Sequence, residues 1–306
     1  MAKLFGVFGV ITAIVVLAGW WLLLDSRAPA SAEGEFDIAA WRTLVADDAD
    51  LPTELRIEII GTDEAPKYAA ETGGGFSKMP LYYSAIKIAS PDETTIIGGA
   101  VDDLTAAEIA QSKDAAFNAG AYERLKASYA DADQILITHE HLDHVMAITR
   151  HPHPETFVTK LMLTAPQIEA LPQFAPESGL SPVLQDLQPA DIAEPVLVAP
   201  GVVAAPAPGH TDGSLVIYVK RDDGREYLLI GDIVWAVSNI ENLKTRPRLL
   251  QYLFFEPNEN RKAILRQVRA LHDLAQAEPN LIIVPEHDGA YLDRLIEKGD
   301  FELGFE

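Results

Sequence analysis

The sequence predicts an α/β domain that follows an apolar N-terminal helix. Three observations support this prediction. An uncharged apolar run begins at residue 4, strand-like and helix-like segments alternate through the rest of the chain, and four apolar runs lead into a histidine or an aspartate. Rigid strands that end in such residues can deliver them to one edge of a packed sheet.

Composition and charge narrow the class of protein. The chain has 306 residues, 48% of them hydrophobic, which is enough for one large core or two modest ones. Its formal net charge of -22 repels a phosphate backbone, so nucleic acid is not an expected partner. Because the chain has no cysteine, any metal site must consist of imidazole and carboxylate groups.

The apolar run at residues 4–24 is long enough to form one N-terminal transmembrane helix. Trp20 and Trp21 stand near its far end, where aromatic residues are common at membrane interfaces. Lys3 and the amino terminus add positive charge on the short side, which favours the cytoplasm for that end. The expected location is therefore a membrane anchor with the folded domain outside the cytoplasm, periplasmic or extracellular.

A cleaved secretory signal is the alternative for the same segment, and it would make the protein secreted. Ala30, Ser31 and Ala32 have the small side chains that a signal peptidase prefers. The apolar run is longer than a usual signal core, which favours an uncleaved anchor. We thus divide the chain into an anchor or signal at residues 1–24, a linker at 25–35 and a folded domain at 36–306.

The alternation of segments predicts the elements of this domain. Apolar runs predict strands at residues 55–60, 82–88, 94–97, 134–137, 196–198, 202–205, 215–219, 227–230 and 281–284. Thr105 followed by Glu108 has the pattern of a capping box and predicts a helix from there to about residue 129. A second long helix is predicted at residues 256–276, with apolar residues on one face.

Four residues of metal-ligand type stand close together directly after the strand predicted at 134–137. His139 and His141 are two positions apart, so both rings can reach one ion from the same side. Asp143 and His144 follow directly. If they lie on a tight turn or at the start of a helix, their side chains point to a position next to that of the first ion. Imidazole and carboxylate suit zinc, and a bridging carboxylate can hold two ions roughly 3.5–4 Å apart.

This H-x-H-x-D-H pattern resembles the signature of the metallo-β-lactamase superfamily of hydrolases. The resemblance extends from about Tyr82 to His287. It implies an αββα sandwich, in which two β-sheets are flanked by helices, with two Zn²⁺ ions at one edge. Iron or manganese are possible replacements for the zinc. The enzyme class that it implies is a metal-dependent hydrolase.

The resemblance also implies a complete ligand set and a mechanism. Five histidines and two aspartates make up the set: His139, His141 and His210 for the first ion, Asp143, His144 and His287 for the second, and Asp232 as the bridge. A hydroxide that bridges the metals is expected to attack a carbonyl or phosphoryl centre. From ligand geometry alone, Asp143 is the expected catalytic residue, which would orient this hydroxide through its second oxygen.

The chain departs from the family pattern in two places. Many members have small glycines after the motif, whereas Val145 follows it here, which leaves the packing of the next helix open. A carboxylate that supports the ligands is expected after the strand at 94–97, and Asp102 and Asp103 are both candidates.

The remaining histidines are not expected to be ligands. His151 and His153 lie in a short proline-braced loop, for which simple exposure is the favoured interpretation, although they can also face a substrate entrance. His272 falls on the apolar face of the second long helix, which favours a packing role.

Elimination within the superfamily favours lactone or other ester hydrolysis of a small molecule. The absence of cysteine argues against the lactamases with a thiolate ligand. The short stretch after His287 argues against thioesterases with a C-terminal helical domain and against diiron oxidoreductases with a flavin domain. The alternatives that stay open are β-lactam, thioester or phosphodiester hydrolysis, and a non-catalytic metal-binding protein. The oligomeric state is not predictable from these features.

Overall fold

The computed structural model describes residues 2–254 and 259–305. The strands in this part of the chain are β1 (Glu54–Pro66), β2 (Lys78–Ala89), β3 (Thr94–Ile97), β4 (Ala116–Phe117), β5 (Gln134–Leu136), β6 (Val196–Ala199), β7 (Val202–Pro206), β8 (Leu215–Lys220), β9 (Glu226–Leu229), β10 (Leu281–Val284) and β11 (Glu302–Leu303).

The helices are α1 (Ala2–Leu23), α2 (Ile38–Leu44), α3 (Lys67–Ala70), α4 (Asp103–Ile109), α5 (Ala119–Asp131), α6 (Leu142–Thr149), α7 (Ala165–Ala170), α8 (Pro182–Gln185), α9 (Val237–Glu241), α10 (Arg248–Phe254), α11 (Arg261–Ala277) and α12 (Gly289–Lys298). Short 3-10 helices occur at Pro154–Thr156, Val158–Lys160, Leu171–Phe174 and Gly231–Ile233.

The strands form two sheets with mixed directions. In the first sheet the order is β11-β1-β2-β3-β5, and β4 also pairs with β1. In the second sheet the order is β10-β9-β8-β7-β6. Hairpin neighbours are antiparallel, while β3 with β5 and β9 with β10 are parallel. Parallel neighbours deliver the residues that follow them to the same edge of their sheet.

Apolar side chains fill three layers. Between the sheets, Ile57 and Ile86 of the first sheet belong to one buried cluster with Ile217 and Leu229 of the second. A second cluster packs α5 and α6 on the outer face of the first sheet. A third packs α2, α9 and α11 on the outer face of the second sheet. Since burial of these faces removes apolar surface from water, the layers assemble as helix, sheet, sheet, helix. The predicted αββα sandwich is confirmed.

Every strand predicted from the sequence is present, and β1 and β2 extend beyond their predicted ends. The single helix predicted from residue 105 to about 129 is wrong, because β4 separates α4 from α5. The amides of Gln111 and Ser112 donate to the buried carboxylate of Asp63, at 2.6 and 3.1 Å, and so turn the chain out of α4. Asp102, not Thr105, caps the start of α4.

The second long helix is present as α11, which begins at Arg261 and is capped by Asn260. Residues 256–258, with which the prediction began, lie outside the described residues. The apolar face of α11 packs inward, as Ile264 and Val268 are fully buried.

The N-terminal segment forms α1, and its described apolar side chains are largely exposed, including Phe8 and Leu17. Across the described residues, no helix combines the length and apolar character that crossing a membrane requires, which does not support the predicted transmembrane helix. The start of the predicted linker contacts the folded domain, since Asp25 and Ser26 are both buried.

Candidate metal centre

Four connections at one edge of the sandwich carry the predicted ligands. β5 leads into His139, and His141 stands at the N-terminal cap of α6. The loop between β7 and β8 carries His210, β10 leads into His287, and β9 leads through Gly231 into Asp232. Gly231 has a φ of +52°, and a Cβ there would lie 2.9 Å from Cβ of Thr138, so this turn requires glycine.

The structure brings all seven predicted ligands together. Their ligand atoms form three overlapping groups, each with all atoms within 4.8 Å of one another: His139, His141 and His210; Asp143, His144 and His287; and His139, His144, Asp232 and Glu286. Glu286 is the only member of these groups that the sequence did not predict as a ligand.

The first group consists of three imidazoles with closely packed rings. The ring centroids of His139 and His210 are 4.6 Å apart, and His141 lies 4.9 Å from His139 and 4.5 Å from His210. His139 and His210 are each 1% exposed. Three imidazole nitrogens that converge in this way are a suitable ligand set for one divalent ion.

The second group combines a carboxylate with two imidazoles. Oδ2 of Asp143 lies 3.3 Å from Nε2 of His287 and 3.6 Å from Nε2 of His144. Asp143 belongs to the first turn of α6, where the positive end of the helix dipole favours a negative charge. This group therefore carries a charge that the first group lacks.

Asp232 lies between the two groups. Its Oδ2 is 3.6 Å from Nε2 of His210 and 3.9 Å from Nε2 of His139. Its Oδ1 is 3.0 Å from Nε2 of His287. The two carboxylate oxygens thus face different groups, which is the placement that a bridging ligand requires.

The donor set fits a pair of divalent cations. Among the described residues, Nε2 of His139 and Nε2 of His144 are buried and have no hydrogen-bond partner. A buried polar atom without a partner is costly, and a coordinated cation would satisfy both nitrogens. Imidazole and carboxylate donors suit zinc and related ions, whereas the chain has no thiolate to offer.

Groups outside the cluster hold the far nitrogens of two rings. Nδ1 of His287 donates to the backbone oxygen of Tyr82 at 2.7 Å. Nδ1 of His210 lies 2.6 Å from Oε1 of Glu259. Contacts of this kind fix the ring and its tautomer, so that Nε2 is presented to the cluster.

The ring of His144 also has a carboxylate neighbour, which itself belongs to the cluster and does not form a hydrogen bond with Nδ1. Nδ1 of His144 lies 3.3 Å from Oε2 of Glu286, and the same oxygen accepts a hydrogen bond of 2.7 Å from Thr138. Sequence reasoning missed Glu259 and Glu286. The position of Glu286 next to His287 was a usable signal, whereas nothing in the sequence connects Glu259 with a histidine 49 positions away.

The pKa values separate the two groups. Burial lowers the pKa of His139 and of His210 well below the ordinary value. Burial also acts to lower the pKa of His287, but the carboxylates of Asp232 and Asp143 outweigh it and raise that pKa well above the ordinary value. Burial acts to raise the pKa of Asp232, and the neighbouring His287 overcomes it and holds that pKa well below its usual range.

The two departures from the family pattern have structural counterparts. Asp102 caps α4 and accepts a hydrogen bond of 2.6 Å from Arg150, while Asp103 lies in the first turn of that helix. Behind the motif, the close approach occurs at Gly99, where a Cβ would lie 2.2 Å from the backbone oxygen of His144. The small residue that this packing needs is therefore supplied by the loop after β3, and Val145 can point into the core.

The remaining histidines lie outside the cluster. His153 is exposed and pairs with Glu155, at 3.2 Å. His151 is half-buried and its ring packs against Phe157, with centroids 4.9 Å apart. Nδ1 of His272 lies 2.9 Å from the backbone oxygen of Ile240, which fixes this side chain between α11 and α9.

Comparison with known proteins places this fold. The sequence matches no protein-family model and no curated protein. Solved structures do match. A quorum-quenching N-acyl homoserine lactone lactonase has a TM-score of 0.59 at 16% sequence identity, with 79% of this chain and 95% of that chain covered.

Two further structures show the same likeness. An N-acyl homoserine lactone hydrolase with the product N-hexanoyl-L-homoserine bound at its catalytic metal centre has a TM-score of 0.58 at 14% identity, covering 80% of this chain and 96% of that one. A dizinc quorum-quenching lactonase has a TM-score of 0.51 at 12% identity, covering 79% and 92%. At these identities the likeness concerns the fold alone, and the αββα sandwich is the fold that this chain shares with these lactonases.

Proposed function

We propose that this chain is a metal-dependent hydrolase that uses two divalent ions, with zinc the best match, to open a lactone or cleave another ester of a small molecule. The observation that carries the proposal is the buried cluster itself. Seven side chains from four separate connections meet at one edge of the sheets. Within the described part of the chain, Nε2 of His139 and both ring nitrogens of His144 are buried without a hydrogen-bond partner.

The ligands divide into two sets with one shared member. His139, His141 and His210 would hold the first ion, and Asp143, His144 and His287 the second. Asp232 would bind both ions, because its Oδ2 faces His210 and its Oδ1 faces His287. When bound, such ions polarise the oxygen under attack and lower the pKa of water enough for it to act as a nucleophile near neutral pH. Hydrolysis then joins the oxygen of water to the acyl carbon, breaks the ester C–O bond and leaves a proton on the released hydroxyl.

Asp143 is the side chain that we assign to orienting the attacking water. Its Oδ2 faces His287 and His144, so its other oxygen is available to accept a hydrogen bond from water. The neighbouring His144 helps to hold the pKa of Asp143 below its usual range against the effect of burial, which keeps it an acceptor at neutral pH.

Space for a small substrate exists beside the second group. A cavity of about 300 Å³ is lined by Tyr83, Phe117 and five alanines between α4 and β4. Its polar lining residues are Thr62, Asp63, Asp103 and Ser112. Tyr83 separates it from the cluster, because its ring packs on His287 with centroids 5.5 Å apart. Alanine-lined walls suit an apolar substituent, and the lactonases of similar fold bind acylated homoserine products.

A substrate panel with metal analysis tests the proposed function. Purified protein should contain close to two equivalents of zinc, and it should hydrolyse lactones or simple esters faster than thioesters, β-lactams and bis-p-nitrophenyl phosphate. His153→Ala is the matched control, since this histidine is exposed and lies outside the cluster. A different order of rates would reassign the substrate class. Metal-loaded protein that hydrolyses no member of the panel would leave metal binding as its function.

We also propose that residues 4–24 hold the protein at a membrane, with the domain outside the cytoplasm. The uncharged sequence of this run supports the proposal, as does the exposure of Phe8 at 71% and Leu17 at 64%. Fractionation of cells that produce the full chain should place it with the membranes and accessible to protease added from outside. Recovery in the cytoplasmic fraction contradicts this location, and a new N-terminus after Ala32 indicates a cleaved signal instead.

A further inference from the structure

A chain of buried polar side chains lies behind His210. Its Nδ1 contacts Oε1 of Glu259 at 2.6 Å, and the other carboxylate oxygen accepts a hydrogen bond of 2.5 Å from Nε2 of Gln251. Arg261 donates both to Oε1 of Gln251 and to the backbone oxygen of Asp25. None of these side chains is more than 9% exposed. The contacts thus connect a predicted ligand with the N-terminal segment.

Asp25 and Ser26, which we call the strap, are fixed at the far end of this chain. Oγ of Ser26 accepts a hydrogen bond of 2.9 Å from the amide of Thr245. Oδ2 of Asp25 accepts one of 3.0 Å from Arg248 at the start of α10. The strap is therefore built into the wall that faces His210, although it lies outside the domain boundary predicted at residue 36.

The buried carboxylate of Glu259 is compensated by a buried cation. Arg246 donates to Oε1 of Glu259 and, through Nη2, to the backbone oxygen of Asp232 at 3.3 Å. A buried carboxylate is tolerated only with such a partner and with hydrogen bonds on its remaining lone pairs. In the orientation that these contacts give it, Glu259 accepts the Nδ1 proton of His210 and leaves Nε2 for the cluster. Nη1 of Arg246 also lies 3.4 Å from Nδ1 of His210, so it is Glu259 that must favour the proton on Nδ1.

We propose that the strap, acting through Arg261, Gln251 and Glu259, is a positioning unit for His210. Glu259 sets the tautomer and direction of the ring, and the strap keeps Glu259 in place. Cleavage after Ala32 would remove the strap and loosen this unit. The inference rests on the proposed function for the ion that Nε2 would bind, but the tautomer of His210 is a property of the metal-free chain as well.

The first experiment measures the two stepwise Zn²⁺ affinities of the full chain by competition with a chelator. Glu259→Gln, a weaker acceptor of the same shape, should lower one affinity by roughly 10- to 100-fold and leave the other unchanged. The double variant Asp25→Ala with Ser26→Ala removes the side-chain contacts to Arg248 and Thr245 that hold the backbone oxygen of Asp25 against Arg261. It should lower the same affinity by about threefold or more. Glu35→Gln is the matched control, because Glu35 pairs with Arg266 at 2.6 Å outside this chain of contacts.

The second experiment uses metal-free protein with ¹⁵N-labelled histidine and reads the tautomer of His210 by NMR. The wild-type chain should carry the proton on Nδ1, and both Glu259→Gln and the strap variant should increase the Nε2-protonated form. A variant that merely lowers overall stability would leave the tautomer of the folded protein unchanged.

The outcomes separate this inference from the proposed function. A weakened affinity with a shifted tautomer in both variants, and neither in Glu35→Gln, supports it. Wild-type affinities in Glu259→Gln, or a strap variant that behaves like Glu35→Gln, overturn it. If the wild-type chain binds no Zn²⁺, the proposed function fails, and the NMR experiment still decides whether the strap positions His210.

Discussion

The two halves of the candidate metal centre, His139, His141 and His210 on one side and Asp143, His144 and His287 on the other, obtain their rigidity from different sources. His210 in the first half depends on the carboxylate of Glu259, which comes from a loop and is held by other side chains. His287 in the second half depends on the backbone oxygen of Tyr82 in the long strand β2. A backbone contact to a strand is insensitive to substitution, whereas a contact through several side chains can be lost at each of them. The first half should therefore be the more easily disturbed.

The halves differ in charge as well as in support. The first half consists of imidazoles. Burial lowers the pKa values of His139 and His210, so these rings are neutral. The second includes the carboxylate of Asp143, and His287 lies against two carboxylates that raise its pKa. Asp232 belongs to both halves, so its replacement should have the largest effect, and changes confined to one half should reveal how independent the halves are.

Asp232→Ala should cause the largest loss. It removes the carboxylate whose two oxygens face His210 and His287, so both ions lose a ligand. Turnover should fall by more than roughly 100-fold, the upper end of what loss of an outer partner costs a metal site. Metal content and kcat/KM for the best ester of the panel measure the effect. Asp222→Asn in the exposed turn between β8 and β9 is the control. Retention of two ions with normal turnover would show that Asp232 is not the bridge.

Asp143→Asn should have the next largest effect and should affect only the second half. The amide keeps an oxygen near His287 but lacks the charge and the acceptor that orient water. We expect kcat to fall by roughly 10- to 100-fold, with the affinity for the first ion unchanged. Unchanged turnover with both metals retained would remove the role of Asp143 in orienting water and leave it as a ligand only.

Whether a contact is local or distant in the sequence also decides which parts of the site the sequence could predict. His139, His141, Asp143 and His144 follow one strand within six residues, so their proximity is encoded locally. The support of His210 by Glu259 joins residues 49 positions apart and belongs to no periodic pattern. Such a contact depends on how α11 packs on the second sheet, which no single segment specifies.

The wrong prediction of one continuous helix from residue 105 to about 129 also results from a distant contact. The segment from residue 105 onward has good helical composition, and its local pattern predicts no interruption. The interruption comes from Asp63 in β1, whose carboxylate accepts hydrogen bonds from the amides of Gln111 and Ser112, 48 and 49 positions away. A distant acceptor for backbone amides overrode the local propensity, as tertiary contacts often do.

The pH dependence of the two stepwise metal affinities should differ, with a smaller effect than either substitution. A ligand must lose its proton before it binds a metal. The lowered pKa values of His139 and His210 mean that the first half is already proton-free at neutral pH. His287 has a pKa raised well above 6.5, so the second affinity should rise by up to about tenfold per pH unit through the neutral range. If the two metal affinities changed equally with pH, the proposed difference between the two halves would be contradicted.

The stability of the metal-free protein checks the sign of this effect. Because the folded pKa of His287 is raised, its protonated ring stabilises the fold fully below the unfolded value of 6.5, and this contribution is lost as the pH rises through the folded pKa. His139 and His210 have the opposite effect, because their folded pKa values are lowered. The stability that their neutral rings contribute is lost as the pH falls below the unfolded value of 6.5. Denaturant unfolding of metal-free wild type and His287→Gln should therefore diverge most in mildly acidic buffer.

Trp235→Phe should have the smallest effect, and it tests whether Asp232 serves the halves equally. The indole Nε1 donates to Oδ2 of Asp232 at 2.8 Å, the oxygen that faces His139 and His210. Loss of one hydrogen bond of about 0.5–1.5 kcal/mol corresponds to roughly a 2- to 12-fold change in affinity. Because only Oδ2 is affected, the first ion should be weakened more than the second. Tyr68→Phe, at an exposed ring of α3, is the control. Equal weakening of both ions would mean that the carboxylate of Asp232 moves as a unit and that the two halves are coupled through it.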